Sequence, residues 1–516
     1  MPELAELPVV SKRRAALNNL VFNYTGVAFA AISGLLLVPL YLHYFDLATY
    51  GAWLASANFI SLLGILECGF SMVFVQRLAA ALGKAEIDGF AEVAGSGGIL
   101  ALSLAVLTAL VGIGIAPWVP GWVNAEPTQK IVLSRGFVLA TLGASFSVLY
   151  FTFGAVIQAR QRTFFAGVVS IITLVVGLLA NIGGLFLGLG VQSIGLGALA
   201  RGFIGFILLG GYVVYSWRKD ALPQPKASKA MLWKLIRTTS PVAVGQSGTI
   251  ILGSTQAAIV AMLINPAAAA ILSITGRAYE VCKAFLAPIG SSVFAGLAHV
   301  TGSGDQDKLR RVSREVIGLF AMMTAIGLGL ILALNQAFVR NWVGADSWGG
   351  NLLSFALCLS AVITSRLILL RIMLTAFGEI KKTAWISLIE LLIRLPLIFF
   401  LIRLFGLIGM PLAELVSSFF VSGWFFNRLL VRSLDLPRNT GIELVLEGIW
   451  PLAATIVLGI IWSLLVPESN GWIYFSIQAF ICLGIMCAVV YPLSPATRTT
   501  IAGIRTRLTR LIQTHV

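Results

Sequence analysis

The stretch that decides the fold runs from Val93 to Pro117 and reads VAGSGGILALSLAVLTALVGIGIAP. It carries no charged side chain, and as a helix it is long enough to cross a hydrocarbon core of about 30 Å. Comparable apolar runs recur along the whole 516-residue chain. They do not alternate in hydrophobicity, as the strands of a transmembrane β-barrel do. The sequence therefore predicts an all-α protein that crosses the membrane many times.

The composition excludes a large soluble protein. Hydrophobic residues make up 58% of the chain, charged residues only 11%, and the mean hydropathy is +0.94. Soluble domains carry roughly 25% charged residues, so this chain lacks the polar surface that a soluble fold needs. The five cysteines lie inside apolar runs and the three histidines form no cluster, so we expect no metal site and no cofactor.

About fourteen apolar stretches have the length of a membrane span. We place them at 17–42, 50–78, 91–117, 131–157, 164–188, 193–217, 233–263, 267–298, 312–334, 351–376, 383–403, 407–430, 445–466 and 472–493. With these spans, 26 of the 36 lysines and arginines fall in loops on one side and 4 in loops on the other. Since basic loops stay in the cytoplasm, this asymmetry predicts that both termini are cytoplasmic. The net charge of +15 then reflects topology, and we expect no nucleic-acid partner.

The sequence contains a weak internal repeat with an offset of about 220 residues. Residues 122–125 (WVNA) align with 342–345 (WVGA), and 161–163 (QRT) align with 381–383 (KKT). The repeat predicts two pseudo-symmetric six-helix bundles, which usually enclose a central cavity. We place the first bundle at 1–217, a cytoplasmic linker at 218–232, the second bundle at 233–432, and two extra transmembrane helices with a basic cytoplasmic tail at 433–516.

Polar side chains line one face of the first and the seventh span. Asn23 belongs to a helical series of small and polar residues in the first span, and Gln246 and Gln256 belong to a similar series in the seventh. Two interpretations stay open. The series form either a packing seam of small residues between helices or the wall of a cavity.

The eighth span holds three charged residues at helical spacing. Arg277, Glu280 and Lys283 are each three residues apart, so they can pair on one face of the helix. Arg277 lies near the bilayer midplane, where a lone charge costs at least about 2.5 kcal/mol. Such charges face a protein interior or a water-filled cavity. They form either a structural ion network or a substrate or proton site, and we favour the site.

Bases outnumber acids within the predicted spans. Arg201 and Arg366 are further deep bases, whereas Glu390 and Arg394, four apart, are expected to satisfy each other. Glu67 and Glu414 are expected to be the least compensated acids. Excess positive charge suits an anionic substrate group, and arginine is well shaped for phosphate. No phosphate-binding glycine loop, aspartate-rich metal motif or histidine pair at helical spacing indicates an enzyme.

The second span resembles a known family. Residues 50–53 (YGAW), 66–70 (LECGF) and Arg77 are similar to a pattern of the bacterial polysaccharide transporters. These belong to the multidrug/oligosaccharidyl-lipid/polysaccharide exporter superfamily. Residues 155–165 and 375–385 resemble the family's hairpin between the fourth and fifth helices. The chain departs from the family at Glu67, where aspartate is usual.

The resemblance implies a flippase for undecaprenyl-diphosphate-linked sugars in the bacterial cytoplasmic (inner) membrane. It implies alternating access, a lipid-linked oligosaccharide as substrate, membrane lipids as partners, and polysaccharide polymerase and chain-length proteins as further partners. Glu67 and Glu414 are the candidate acids for proton or sodium coupling. The related lipid II flippase uses an arginine five residues before a proline in the eighth helix, and Lys283 takes that place before Pro288.

Two other functions remain as alternatives. A drug or cation antiporter of the same superfamily would bind cations through acids and usually has twelve spans. A membrane enzyme that polymerises sugar repeats typically carries a large outer loop, whereas the longest outer loop predicted in this chain, residues 118–130, is short.

Overall fold

The computed structural model describes residues 12–67, 69–84, 86–303, 305–466 and 471–493. Throughout these ranges the ordered elements are helices, so the prediction of an all-α membrane protein is confirmed. The chain divides into two compact units, residues 1–270 and 271–516.

The first unit contains ten helices among the described residues. They are α1 Lys12–Tyr44, α2 Leu47–Leu63, α3 Phe70–Gly83, α4 Ile87–Ile115, α5 Val119–Trp122, α6 Lys130–Ala159, α7 Thr163–Phe186, α8 Gln192–Lys219, α9 Lys229–Ser254 and α10 Gln256–Leu263.

The second unit contains nine helices among its described residues, the first of which begins just before the boundary. They are α11 Pro266–Ser303, α12 Gln306–Val343, α13 Asn351–Ala376, α14 Ile380–Phe405, α15 Gly409–Ser417, α16 Trp424–Ser433, α17 Arg438–Leu446, α18 Ile449–Leu465 and α19 Trp472–Leu493. A π-helical segment, Ser418–Gly423, joins α15 to α16.

The described residues contain eleven helical stretches long and apolar enough to span a membrane. These stretches cover twelve of the fourteen predicted spans, because Ile380–Ser433 contains the predicted eleventh and twelfth spans in one run. The predicted seventh and eighth spans coincide with α9–α10 and with α11. Several residues of α9 and α11 lie outside the part of the chain that the structure describes in full.

Small residues let the helices of the first unit approach closely. Gly195 lies against the carbonyl of Gly136, and Gly202 lies against the carbonyl of Gly143, so α8 packs on α6 along most of its length. α10 packs on α2, where the Asn58 side chain accepts a hydrogen bond from the Ala258 amide at 2.9 Å.

The linker between α8 and α9 is held against α4. The Lys226 amide donates to the Ala91 carbonyl at 3.3 Å, and the Ser228 amide donates to the Ser96 hydroxyl at 3.1 Å. A Cβ atom at Gly95 would lie only 2.6 Å from the Lys226 carbonyl oxygen. Glycine at 95 therefore lets the linker backbone lie directly on the helix.

In the second unit, α18 and α19 pack against α12. Gly329 of α12 faces Thr455 of α18, and Gly459 faces the Gly329 carbonyl oxygen, so the two helices meet through small residues. The domain boundaries predicted from the repeat stay a prediction. The compact units divide between Ala270 and Ile271, because α9 and α10 contact α2, α3 and α4.

Candidate functional site

The spacing of Arg277, Glu280 and Lys283 allows all three to pair on one face of α11, and the ion pair in the structure joins Glu280 and Lys283. Lys283 forms an ion pair with Glu280, and the Glu280 side chain is 60% exposed whereas that of Lys283 is 15% exposed. Arg277 is half-buried. Among the described residues, no hydrogen-bond partner reaches its buried Nε atom. α11 therefore presents one base paired with an exposed acid and one base with unmet hydrogen-bonding capacity.

The second charged group of this unit is a buried cluster between α14 and the segment that follows it. Arg394 and Glu390, four residues apart on α14, form an ion pair in which both side chains are at most 6% exposed. This pairing agrees with the expectation from sequence. The Arg394 guanidinium also donates to the hydroxyls of Ser417, at 2.9 Å, and Ser418, at 2.7 Å.

Glu414 belongs to the same cluster, which the sequence did not indicate. Its Oε1 atom lies 3.3 Å from a terminal nitrogen of Arg394, and its Oε2 atom accepts a hydrogen bond from the Ser360 hydroxyl. The expectation that Glu414 is among the least compensated acids is therefore wrong. Its partners lie on α13 and α14, and sequence spacing does not report on contacts between separate helices.

The π-helical segment Ser418–Gly423 supplies hydroxyl groups to this cluster. The Ser418 hydroxyl donates to Glu390 at 2.8 Å, and the Ser422 hydroxyl donates to the other oxygen of the same carboxylate. A π-helix has a wider turn than an α-helix and occurs frequently at functional sites. Here it coincides with the serines that hold the Glu390 carboxylate.

Electrostatic interactions join the α11 charges to the buried cluster. Lys283 interacts with Glu414 and Arg394 as well as with Glu280. At the other end, Arg371 of α13 interacts with Glu390 and Arg394. The result is an alternating series of charges, which we call the charge series. It consists of Glu280, Lys283, Glu414, Arg394, Glu390 and Arg371.

Arg366, a predicted substrate-binding residue, is engaged by backbone. Its guanidinium donates to the carbonyl oxygens of Val445, at 2.6 Å, and Glu447, at 3.3 Å, at the C-terminal end of α17. Carbonyl groups at a helix C-terminus carry partial negative charge and lack partners within the helix. Arg366 therefore stabilises the C-terminal end of α17 through these hydrogen bonds.

Arg201, in the first unit, is exposed and lies on α8 beside α7. A Cβ atom added at Gly177 of α7 would be 3.0 Å from the Arg201 Cβ atom. The structure thus puts Arg201 at the contact between these two helices.

Glu67 lies at a break in a predicted span. α2 ends in a 3-10 turn, Gly64–Leu66, and α3 begins after Gly69. The φ of Gly69 is 80°, which lies in the left-handed region that glycine favours. The Ser71 hydroxyl donates to the Glu67 carboxylate at 2.7 Å. Broken helices of this kind form the binding sites of many transporters.

The remaining predicted residues are less informative. Gln256 is half-buried at the first position of α10, directly after a break between α9 and α10. The side chains of Asn23 and Gln246 lie outside the described residues. The serines 360, 417, 418 and 422 were missed by sequence reasoning, because a serine in an apolar span is common and gives no sign of its partner.

Comparison with solved structures identifies the fold. The lipid II flippase MurJ in an inward closed conformation matches with a TM-score of 0.66 and 14% sequence identity, over 92% of this chain and 99% of that one. An inward-facing multidrug resistance MATE family transporter of the MOP superfamily matches with a TM-score of 0.60 and 16% identity, over 78% and 99% of the two chains. An outward-facing transporter of that family matches with a TM-score of 0.60 and 14% sequence identity, over 83% of this chain and 97% of that one.

No protein-family model matches the sequence, and no curated protein matches it. The chain therefore has the fold of these solved transporter structures. The superfamily of the matched MATE transporters is the one that the second span resembles.

Proposed function

We propose that the protein is a flippase. It moves an undecaprenyl-diphosphate-linked O-antigen, capsule or exopolysaccharide repeat unit from the cytoplasmic to the outer leaflet by alternating access. The observation that carries the proposal is Arg277. Its guanidinium lies in the predicted eighth span, and the described residues supply no acceptor for its buried Nε atom. A diphosphate provides such acceptors, since guanidinium groups bind phosphate oxygens through strong charge-assisted hydrogen bonds.

Lys283 adds a second positive group to this site. Its ion-pair partner Glu280 has a side chain that is 60% exposed, so a substrate phosphate can replace it without leaving a carboxylate buried and unpaired. The more deeply buried carboxylates of the second unit, Glu390 and Glu414, have Arg394 as partner. Arg277 and Lys283 of α11 are therefore available to an anionic substrate.

The extent of the structural match supports a flippase. The match to MurJ covers 92% of the chain, whereas the matches to the two MATE transporters cover 78% and 83%. The larger coverage agrees with about fourteen spans, of which the last two pack on α12.

A cation-coupled drug antiporter of the same superfamily is the second candidate, because MATE transporters share the fold. Such an antiporter needs an acid that is available to a cation. Arg394 compensates both Glu390 and Glu414. Glu67, which is held by Ser71, is then the acid that best fits this second function.

The proposal includes a location and partners. We place the protein in the bacterial inner membrane with both termini in the cytoplasm, since the basic loops fall on that side. Its partners are the lipid-linked oligosaccharide, membrane lipids, and the polymerase and chain-length proteins that use the exported units. We propose no cofactor, and proton or sodium coupling.

Transport in reconstituted vesicles tests the proposal. The unaltered protein should bring a lipid-linked oligosaccharide to the opposite leaflet, where an added glycosidase or lectin detects it. Arg277→Glu should abolish this movement, because it replaces attraction for the diphosphate with repulsion, and Arg277→Lys should keep part of it. Arg403→Glu, at an exposed residue near the end of α14, is the matched control and should transport normally.

The same vesicles separate the two candidate functions. The flippase proposal expects no extrusion of cationic dyes down an imposed proton gradient. Dye extrusion without movement of the lipid-linked sugar would refute the flippase and favour the antiporter.

A further inference from the structure

One face of α11 is held by a buried network of hydrogen bonds to α12 and α13. The Tyr279 hydroxyl of α11 lies 2.8 Å from the Ser354 hydroxyl of α13, and the Asn335 amide nitrogen of α12 donates to the same Ser354 oxygen at 3.0 Å. The Asn335 nitrogen also donates to the Thr275 carbonyl of α11 at 2.9 Å. Each of these four residues is at most 3% exposed. We call Thr275, Tyr279, Asn335 and Ser354 the polar clamp.

Close packing on both sides of the polar clamp holds the same face. The Gly349 amide, in the loop before α13, donates to the Thr275 hydroxyl at 3.1 Å. A Cβ atom at Gly349 would lie 3.0 Å from that hydroxyl oxygen. Further along α11, a Cβ atom at Gly327 of α12 would lie 2.8 Å from the Cys282 sulfur. The face from Thr275 to Cys282, about two helical turns, is therefore packed against α12, α13 and the loop between them.

The polar clamp lies on the opposite side of α11 from Arg277. An α-helix turns by about 100° per residue, so Thr275 and Tyr279 leave the helix about 40° apart. Arg277 then leaves it about 180° from the midpoint of these two residues. Glu280 of the charge series, whose side chain is 60% exposed, lies about 120° from the same midpoint. The rotation of α11 at the clamp therefore sets the direction of the Arg277 side chain.

The chemistry of the polar clamp favours orientation over stability. The Asn335 Oδ1 atom is buried, and no hydrogen-bond partner reaches it among the described residues. A buried acceptor without a donor is costly, so an apolar contact would hold the three helices together at least as well. Hydrogen bonds differ from apolar contacts because they are directional, and buried polar networks specify one arrangement of the groups that they join. The clamp therefore specifies the rotation of α11 about its own axis.

We propose that Tyr279 and Asn335 are positioning residues for substrate binding, because the polar clamp fixes α11 in the rotation that directs the Arg277 guanidinium at the substrate diphosphate. This inference rests on the proposed function and deepens it, since it assigns the residues that orient the binding base. A binding group must be held within about 0.5 Å and about 10–20° of its productive geometry. Without the clamp, rotation of α11 turns the guanidinium away from the phosphate oxygens, to which its hydrogen bonds are directional.

Titration calorimetry of the purified full-length protein tests the proposal. The probe is a short-chain isoprenyl diphosphoryl sugar. Tyr279→Phe removes one hydroxyl and keeps the ring, and it should raise the Kd for the probe about three- to tenfold, because Arg277 then lacks a fixed direction. Tyr474→Phe, at an exposed tyrosine of α19, is the matched control and should bind the probe like the unaltered protein.

A double-mutant cycle distinguishes positioning from general support of the fold. Arg277→Met should bind the probe more weakly than the unaltered protein, through the remaining base Lys283. Adding Tyr279→Phe to Arg277→Met should weaken binding no further, since no guanidinium is left to position. A merely structural role of Tyr279 would instead raise the Kd by the same factor in both backgrounds.

A second pair of variants repeats the test at Thr275, should Tyr279→Phe fail to fold. Thr275→Ser keeps the hydroxyl that accepts from Gly349, and Thr275→Val keeps a similar shape without it. Thr275→Ser should bind the probe like the unaltered protein. Thr275→Val should raise the Kd as Tyr279→Phe does, and this loss should also disappear in the Arg277→Met background.

The outcomes separate this inference from the function on which it rests. Equal Kd values for Tyr279→Phe and Tyr474→Phe, or a loss in Tyr279→Phe that persists in Arg277→Met, would overturn the inference and leave the flippase proposal standing. Equal Kd values for Thr275→Ser and Thr275→Val would also overturn it. Failure of the unaltered protein to bind the probe, or unchanged binding by Arg277→Met, would remove the proposed function together with the inference.

Discussion

Replacing Arg394 with methionine removes the guanidinium that joins α14 to α15 and to the π-helical segment. Two ion pairs are lost, with Glu390 and with Glu414, together with hydrogen bonds to Ser417 and Ser418. The side chains of both acids are at most 12% exposed, so neither can turn to water. Removing one partner of a buried ion pair costs about 3–5 kcal/mol, since the other charge stays buried.

We expect the variant to be destabilised by about this amount, because the two acids repel each other once the arginine is gone. Thermal unfolding in detergent, followed by intrinsic tryptophan fluorescence, measures the effect as a lower midpoint. Arg403→Met, at an exposed arginine of the same helix, is the control and should unfold like the unaltered protein.

Two further variants test the physical reason. Arg394→Lys should recover only part of the stability, because an ammonium group cannot reach four partners in the directions that a planar guanidinium can. Arg394→Met combined with Glu390→Gln and Glu414→Gln should recover more, since no buried charge then lacks a partner. Equal midpoints for Arg394→Met and Arg403→Met would refute this account of the cluster.

Two other predictions concern the linker and the topology. Gly95→Val should displace the linker from α4, because a Cβ atom there would lie 2.6 Å from the Lys226 carbonyl oxygen, whereas Gly98→Val has no neighbouring atom within 4 Å and is the control. Limited trypsin digestion should cleave the linker faster in Gly95→Val, and equal rates in the two variants would contradict the packing. For the topology, an impermeant thiol reagent should label single cysteines from outside at Asn124 and Asp346 but not at Lys226 and Asp307, and the reverse pattern would invert the orientation.

The positions of the spans were predictable because the signal is local. A backbone inside hydrocarbon must satisfy its own hydrogen bonds, so the spans are helical, apolar stretches that length and hydropathy reveal. The break between α2 and α3 was not predicted. The break depends on a 3-10 turn and on Gly69, which has a φ of 80°. The sequence of an apolar run does not indicate which backbone conformation a glycine in it adopts.

The candidate site was only partly predictable, for a related reason. The pairing of Glu390 with Arg394 follows from helical spacing, since residues four apart share a face. The joining of Glu414 to this pair depends on how α15 packs against α13 and α14. Likewise, the acceptors of Arg366 are backbone carbonyls of residues 445 and 447, which no side-chain pattern can indicate.

The contacts of each base reduce the number of candidate substrate-binding residues. Arg394 and Arg366 have their hydrogen-bonding capacity directed at protein groups, so substituting either removes structural contacts as well as charge. Arg277 differs, because no described residue accepts a hydrogen bond from its Nε atom. Substituting it should therefore change transport with little loss of stability, the combination that distinguishes a substrate-binding base from a structural one. Lys283 stands between the two kinds, since one partner is the exposed Glu280 and the other is the buried Glu414.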